Sequence, residues 1–118
     1  MSGTYSSQNF NLFALSKKLV LACYELTSTL PPEEKTNLTQ YIRNAALSAH
    51  INIVEGAFLK GIEVKEQYLT GALHSMVIID AAVDVLVEVE LVTAEAAREV
   101  MQLSSECYEE LDRLQKEK

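Results

Sequence analysis

The two prolines of this 118-residue chain are adjacent, Pro31 and Pro32, and it contains four glycines. Proline removes a backbone hydrogen-bond donor and disfavours helix at the residue before it. Because such helix breakers are so few, long stretches on both sides of the proline pair can form continuous helices. Pro32, followed by Glu33 and Glu34, is also a favourable helix start, since acidic side chains in the first turn complement the helix dipole.

Apolar residues recur at steps of three and four on both sides of the prolines, which predicts amphipathic helices near residues 12–29 and 33–58. The first stripe consists of Leu12, Leu15, Leu19, Ala22 and Leu26. The second consists of Leu38, Ile42, Ala45, Ala49, Ile53 and Gly56. Alanine and glycine at this spacing allow a neighbouring helix to approach closely. Gly56 and Gly61 bracket a predicted break.

The third segment, near residues 62–90, is ambiguous because residues 83–91 alternate apolar and acidic side chains as a strand does. A helix is predicted here, because three acids at steps of four form one acidic stripe: Asp80, Asp84 and Glu88. A fourth helix is predicted near residues 94–115, with Thr93 as its N-cap. Its stripe consists of Ala97, Val100, Ser104, Cys107, Leu111 and Leu114.

Four long amphipathic helices joined by three short connections predict an all-α fold, an antiparallel up-down-up-down four-helix bundle. The chain length suits a single domain, which we expect to cover residues 12–115. Residues 1–11 are polar and are expected to form an N-terminal tail.

The net charge of −7 is distributed unevenly along the chain. Residues 61–118 carry thirteen acidic and five basic side chains, whereas residues 1–60 carry four acidic and five basic ones. A negative field of this kind repels phosphate backbones at long range. Nonspecific nucleic-acid binding is therefore disfavoured, and any such contact would need a local patch on the first half.

The cysteines and the apolar segments indicate a cytoplasmic protein. Cys23 and Cys107 lie far apart and match no redox or metal-binding motif, so we expect reduced thiols on buried helix faces. Residues 1–11 lack the features of a signal peptide. The most apolar stretch, residues 76–92, is interrupted by four acids, so no membrane span is predicted.

No pattern of catalytic or metal-binding residues is found. A di-iron bundle needs Glu-x-x-His pairs, but Leu47 precedes His50 by three residues and Gly71 precedes His74. No His or Cys pair has ligand spacing, and no phosphate-binding loop or nucleophile elbow occurs. We therefore expect no metal, no cofactor and no enzymatic activity.

One pair keeps an enzymatic alternative open. Arg43 and His50 are seven residues apart, which places them on one helical face about two turns from each other. With Asn44 after the arginine, the spacing resembles the R-x(4–6)-H motif of HEPN-type ribonucleases, in which two protomers bring such pairs to the scissile phosphate. The alternative function is thus a metal-independent ribonuclease.

Asn52 and Glu55 lie three residues apart among apolar neighbours and share a helix face. Polar groups in such surroundings need hydrogen-bond partners. The pair is therefore interpreted as a structural hydrogen-bond pair at a helix junction or subunit interface, with ligand binding as the alternative.

Residues 38–56 resemble the signature of the four helix bundle protein family, also called the 23S rRNA intervening-sequence protein family. In that family the segment reads along the lines of L-T-x-Q-(L/I)-R-R-A-A-x-S-(I/V)-x-x-N-I-A-E-G. Eight residues fall in register: Arg43, Ala45, Ala46, Ser48, Asn52, Ile53, Glu55 and Gly56. We expect five of these, Arg43, Ser48, Asn52, Glu55 and Gly56, to form an interface or structural polar motif.

The resemblance implies a bacterial bundle that assembles into rings of five. Some members of the family are encoded inside rRNA intervening sequences, and relatives in diversity-generating retroelements bind nucleic acid and a reverse transcriptase. Here Asn44 replaces a usual second arginine, Ile78 stands where an acid is common, and the net charge is acidic. These departures weaken inherited RNA binding more than they weaken the fold.

The third helix is apolar around more of its circumference than three neighbours in one chain can cover. The residues expected on an oligomer surface are Val77, Ile78, Ile79, Val85, Leu86 and Val89. We therefore expect a homo-oligomer, with a pentamer favoured. The predicted function is a non-catalytic, self-assembling interaction or scaffold protein with an RNA or protein partner, associated with RNA or ribosomes.

Overall fold

The computed structural model describes the backbone of residues 7–58 and 62–116, and the side chains of residues 11–58 and 65–116. Within these ranges the chain is helical and contains no strand. The α-helices are α1 (Ser7–Thr27), α2 (Leu38–Phe58), α3 (Ile62–Glu88) and α4 (Ala94–Lys116), and a 3-10 helix covers Pro32–Glu34. The prediction of an all-α, four-helix protein is confirmed.

Each helix packs against two others: α1 and α3 both contact α2 and α4. In the contacts between consecutive helices, higher residue numbers on one helix pair with lower numbers on the next, so neighbours run antiparallel. The pairs are Ser16 with His50 and Thr27 with Arg43, Gly56 with Tyr68 and Asn52 with Gly71, and Thr70 with Gln115 and Met76 with Ser104. This is the up-down-up-down arrangement.

The core lies between the four helices and follows the predicted stripes closely. Its largest fully buried side chains include Leu12, Leu19, Ile42, Met76, Ile79, Val83, Leu86, Val100 and Leu111. Ser104 is buried as well, and its hydroxyl donates a hydrogen bond to Sδ of Met76 at 3.8 Å. The serine therefore satisfies its polar group inside an otherwise apolar core.

The ends of α1 differ from the predicted bounds of 12–29. The helix begins at Ser7, so part of the expected tail is helical, and residues 1–6 of that tail lie outside the described residues. Thr27 is the last helical residue, and its hydroxyl donates to the Cys23 carbonyl at 2.7 Å. The predicted break between α2 and α3 falls on residues 59–61, which also lie outside the described residues.

The second helix begins at Leu38, five residues after its predicted start. Pro32–Glu34 forms a separate 3-10 turn, followed by a turn over residues 35–37. A carboxylate oxygen of Glu34 accepts hydrogen bonds from the backbone N–H of Leu38 at 3.4 Å and from Nδ2 of Asn37 at 2.9 Å. The acid therefore caps α2 from outside instead of forming its first turn.

The third helix is long and apolar enough over Lys65–Glu88 to cross a membrane by length and composition alone. In this structure one stripe of the helix is buried against the rest of the bundle, and 39% of its most apolar part is buried. That stripe includes Met76, Ile79, Val83 and Leu86, none of which is exposed to solvent. The apolar character of α3 is therefore explained in part by the stripe that it buries in the core.

The third helix includes residues 83–88 of the segment that alternates apolar and acidic side chains, and a left-handed residue follows its end. Glu90 has φ of 63°, and the N–H of Leu91 donates to the Leu86 carbonyl at 3.0 Å. The N–H of Glu90 donates to the Val87 carbonyl, also at 3.0 Å. This pattern is a Schellman motif, in which glycine is the preferred left-handed residue.

We predict opposite effects of one substitution at two exposed positions. Glu90→Gly should raise the free energy of unfolding by about 1 kcal/mol, because glycine adopts positive φ without a steric cost. Glu99→Gly, in the interior of α4, should lower it by about 1 kcal/mol through lost helix propensity. Urea denaturation of both variants measures the difference, and a loss of stability in Glu90→Gly would contradict the assignment of this motif.

Candidate functional site

Arg43 lies half-buried on α2 and is attached to the C-terminal end of α1. Its Nε donates to the Thr27 hydroxyl at 2.8 Å, and Nη2 donates to the Tyr24 carbonyl at 3.3 Å. The guanidinium carbon also lies 4.4 Å from the centroid of the Tyr24 ring. A cation at a helix C-terminus is favourable because unpaired carbonyls and the helix dipole are negative there. Arg43 thus holds the end of α1 against α2.

His50 contacts α1 at a point nearer the start of that helix. Its Nδ1 lies 2.6 Å from the Ser16 hydroxyl oxygen, within hydrogen-bond distance. The Ser16 hydroxyl also donates to the Phe13 carbonyl at 3.2 Å. A serine hydroxyl has a single hydrogen, so Nδ1 of His50 is the donor when Ser16 donates to Phe13, and the acceptor when Ser16 donates to His50.

The electrostatic surroundings of His50 favour its neutral form. Burial lowers the pKa of His50 below its usual 6.5, and the nearby charge of Lys17 lowers it further. Both effects disfavour imidazolium, because burial removes hydration and a like charge repels. At neutral pH the side chain is therefore an uncharged link between α1 and α2.

The two residues of the ribonuclease alternative are thus both engaged by α1. Arg43 contacts Tyr24 and Thr27, and His50 contacts Ser16. Their shared face of α2 is turned toward the neighbouring helix, where both join α2 to α1. This placement gives each residue a structural task that needs no substrate.

Two further residues of the sequence motif, Asn52 and Gly56, lie on the side of α2 that approaches α3. A Cβ added at Gly56 would lie 3.1 Å from Cβ of Tyr68, and one added at Gly71 would lie 3.0 Å from Nδ2 of Asn52. Asn52 is half-buried, whereas Ser48 and Glu55 are exposed. Across the described side chains no hydrogen bond joins Asn52 to Glu55, so the structure gives no support to that pair. The interface role of this motif stays a prediction.

The six residues of the predicted oligomer surface on α3 differ in their exposure to solvent. Val77 and Val89 are 55% exposed, Val85 is 45% exposed, and Ile78 is half-buried. The prediction is wrong for Ile79 and Leu86, which are fully buried within the monomer. These two residues are seven apart, on the helix stripe that faces the core.

A second exposed apolar surface, which the sequence interpretation missed, lies on α1 and α2. Leu21 is 61% exposed, and Tyr24, Leu47 and Ile51 are each more than 40% exposed. The signal was present in the sequence, since residues 47, 51, 54 and 58 are apolar at steps of four, three and four. This second stripe lies on α2 opposite the core stripe that contains Ile42, Ala49 and Ile53.

The sequence matches the family model described as 23S rRNA-intervening sequence protein over residues 8–113. The chain belongs to this family. The match extends from the second residue of α1 to near the end of α4, and so includes the whole bundle. No curated protein matches the chain.

The cysteines of this intervening-sequence family member are free and buried, as predicted. Burial raises the pKa of both thiols to about 12, and the charge of Glu106 adds to the effect at Cys107. Thiols with such a pKa stay protonated at neutral pH and are poor nucleophiles and metal ligands. Their place in the core is structural.

Acidic side chains occur at two further places in this family member. An open cleft between α1 and α4 is lined in part by Lys18, Glu106, Glu109 and Glu110. On α3, Asp84 and Glu88 are exposed, while Oδ1 of Asp80 is buried and has no hydrogen-bond partner among the described residues. Over the same part of the chain, no three acidic, His or Cys residues are grouped to hold a metal ion.

We predict that His50 makes the stability of the protein fall in mildly acidic solution. Below about pH 6.5 the unfolded chain binds a proton at this residue before the folded chain does. The free energy of unfolding therefore decreases as pH falls from about 6.5 to the lower folded-state pKa of His50.

Thermal unfolding of the wild type and His50→Gln at about pH 7.5 and about pH 5.5 tests this prediction. His74 is retained in both proteins, so its contribution cancels in the comparison. The wild type should lose more stability than the variant over this interval, and equal losses would show that His50 is not the titrating group.

Proposed function

We propose that this intervening-sequence family member is a non-catalytic, self-assembling scaffold of the cytoplasm. It forms a closed homo-oligomer, with five copies favoured, and the assembly associates with RNA or ribosomes. The observation that carries this proposal is the set of exposed apolar side chains on the outer faces of the helices.

These side chains would be unfavourable in an isolated monomer. Tyr41 on α2 is 57% exposed, and the exposed valines Val77, Val85 and Val89 lie within four turns of α3. Burying an apolar side chain of this size contributes about 1.5–3 kcal/mol. Contiguous apolar surface on a folded protein usually marks a site of association. A second copy of the chain would remove these groups from water.

Closure of the assembly follows from the position of the exposed groups. They lie on α1 and α2 as well as on α3, so each copy has more than one surface that could bind another copy. Repeated contacts between different faces produce either a closed ring or an open filament. In a ring every copy buries both of its binding surfaces against neighbours. This favours a closed oligomer.

The proposed RNA partner and cytoplasmic location rest on the family description, the net charge and the cysteines. The family is described by the intervening sequence of 23S rRNA, which favours an RNA-associated role. The net charge of −7 opposes long-range attraction to phosphate, so RNA contacts would rely on local cations and weaken with salt. The two unpaired, buried thiols suit a reducing cytoplasm.

The ribonuclease alternative is less well supported than the scaffold. In the paired-protomer mechanism, Arg43 and His50 would have to reach the scissile phosphate of an RNA. Each instead has a partner on α1, and the lowered pKa of His50 opposes formation of the imidazolium that would act as a general acid.

The first test of the scaffold is the mass of the particle in solution. Light scattering at micromolar concentration should give a monodisperse multiple of 13.1 kDa, with five copies expected. A single species of 13.1 kDa would contradict the proposal. A stable dimer would instead favour the paired-protomer ribonuclease.

The second test is incubation with a structured RNA in EDTA. The scaffold should leave the RNA intact, and any binding should weaken as salt is added. Cleavage by the wild type that disappears in His50→Ala would refute the non-catalytic function. The same variant must keep its helical circular dichroism, so that a loss of cleavage is not due to unfolding.

A further inference from the structure

Two rows of residues on adjacent helices form a cationic apolar face, here called the α1–α2 face. It consists of Lys17, Leu21 and Tyr24 on α1, and of Arg43, Leu47 and Ile51 on α2. The rows lie side by side, because Arg43 stacks on the Tyr24 ring at one end, and at the other end Ser16, next to Lys17, lies within hydrogen-bond distance of His50. Within these rows both charged residues are basic.

The outer surface of the third helix has the opposite charge and is here called the α3 face. Asp84 and Glu88 are exposed and lie on one row with Val77, at steps of seven and four. Ile78, Val85 and Val89 form the neighbouring row. No lysine or arginine occurs between Lys65 and Arg98, so nothing in this stretch neutralises the acids.

Arg43 is held by Thr27 and Tyr24 of its own chain, whereas the other charges on the two faces have no counter-charge in the described part of the chain. Among the described residues no salt bridge includes Lys17, Asp84 or Glu88. Each face thus combines exposed apolar groups with charges of one sign and no intrachain counter-charge. Two such faces of opposite sign complement each other in both charge and hydrophobicity.

We propose that copies of this chain associate head to tail, with the α1–α2 face of one copy against the α3 face of the next. This inference rests on the proposed self-assembly and specifies the surfaces that carry it. Pairing a face with its own copy would bring like charges together, which is unfavourable across an interface. Head-to-tail pairing brings Lys17 and Arg43 toward Asp84 and Glu88 and lets each copy bind two neighbours.

Charge reversal on each face, alone and combined, tests the proposal. Lys17→Glu leaves Arg43 as the remaining cation of the α1–α2 face, and Asp84→Lys leaves Glu88 as the remaining exposed acid of the α3 face, so each variant removes the net charge of one face. Each single variant should weaken self-association by about tenfold, because the charge attraction between the two faces is lost at every interface. The double variant again has opposite charges at residues 17 and 84, so the attraction between these two positions is restored and it should associate about as strongly as the wild type.

Sedimentation velocity over a concentration series at low and high salt measures these effects. Lys35→Glu and Glu99→Lys are matched controls, since both residues are exposed, lie outside the two faces and change the net charge equally. The controls should assemble like the wild type, and circular dichroism should show that every variant folds. High salt should reduce the differences between variants.

The outcomes separate failure of this inference from failure of self-assembly. A wild type that is monomeric at every concentration would refute assembly itself. A wild-type oligomer with unaffected single variants, or with a double variant weaker than either, would overturn the head-to-tail contact alone. Sensitivity to Lys17→Glu without sensitivity to Asp84→Lys would also overturn it, because the α3 face would then not be the partner.

Discussion

The close approach of α2 to its neighbours is the constraint on which the rest of the bundle depends. The buried side of this helix is made largely of small residues: Ala45, Ala46, Ala49, Gly56 and Ala57. At Gly56 there is no room for a Cβ without displacing Tyr68 of α3. Because small residues bring the backbones together, the larger side chains of α1 and α3 can meet in one core. Larger residues on α2 would separate α1 from α3 and open that core.

The same close approach explains why the most promising catalytic pair in the sequence has a structural task. When α2 lies close to α1, polar side chains at the edge of the contact are partly removed from water and need partners. Arg43 and His50 find them on Thr27, Tyr24 and Ser16. Their seven-residue spacing therefore matches two contact points along one antiparallel helix. A spacing that suits a catalytic motif equally suits helix packing, so sequence alone could not separate the two.

Sequence periodicity predicted the number of helices, their order and most of the core, because apolar stripes report directly on burial. It could not place the ends, which depend on local hydrogen bonds. Glu34 caps α2 from a separate turn, and Glu90 adopts positive φ where glycine would have been the recognisable signal.

Periodicity also failed to distinguish the buried apolar residues of α3 from the exposed ones. Ile79 and Leu86 are buried whereas Val85 is exposed, and in a helix apolar on most sides only the packing partners decide which side is inside.

In the proposed assembly, the charges on the two outer faces limit where an RNA could bind. Lys18 lies in a cleft lined by three glutamates and is poorly placed to attract phosphate. Lys17 and Arg43 are the cations of the α1–α2 face, and in the head-to-tail arrangement they lie against the acids of the next copy. An RNA phosphate and the α3 face would then compete for Lys17, because each is a concentrated negative charge, whereas Arg43 is held by Thr27 and Tyr24. Strong RNA binding at this face would therefore open the assembly, whereas an RNA partner compatible with the closed form must bind elsewhere.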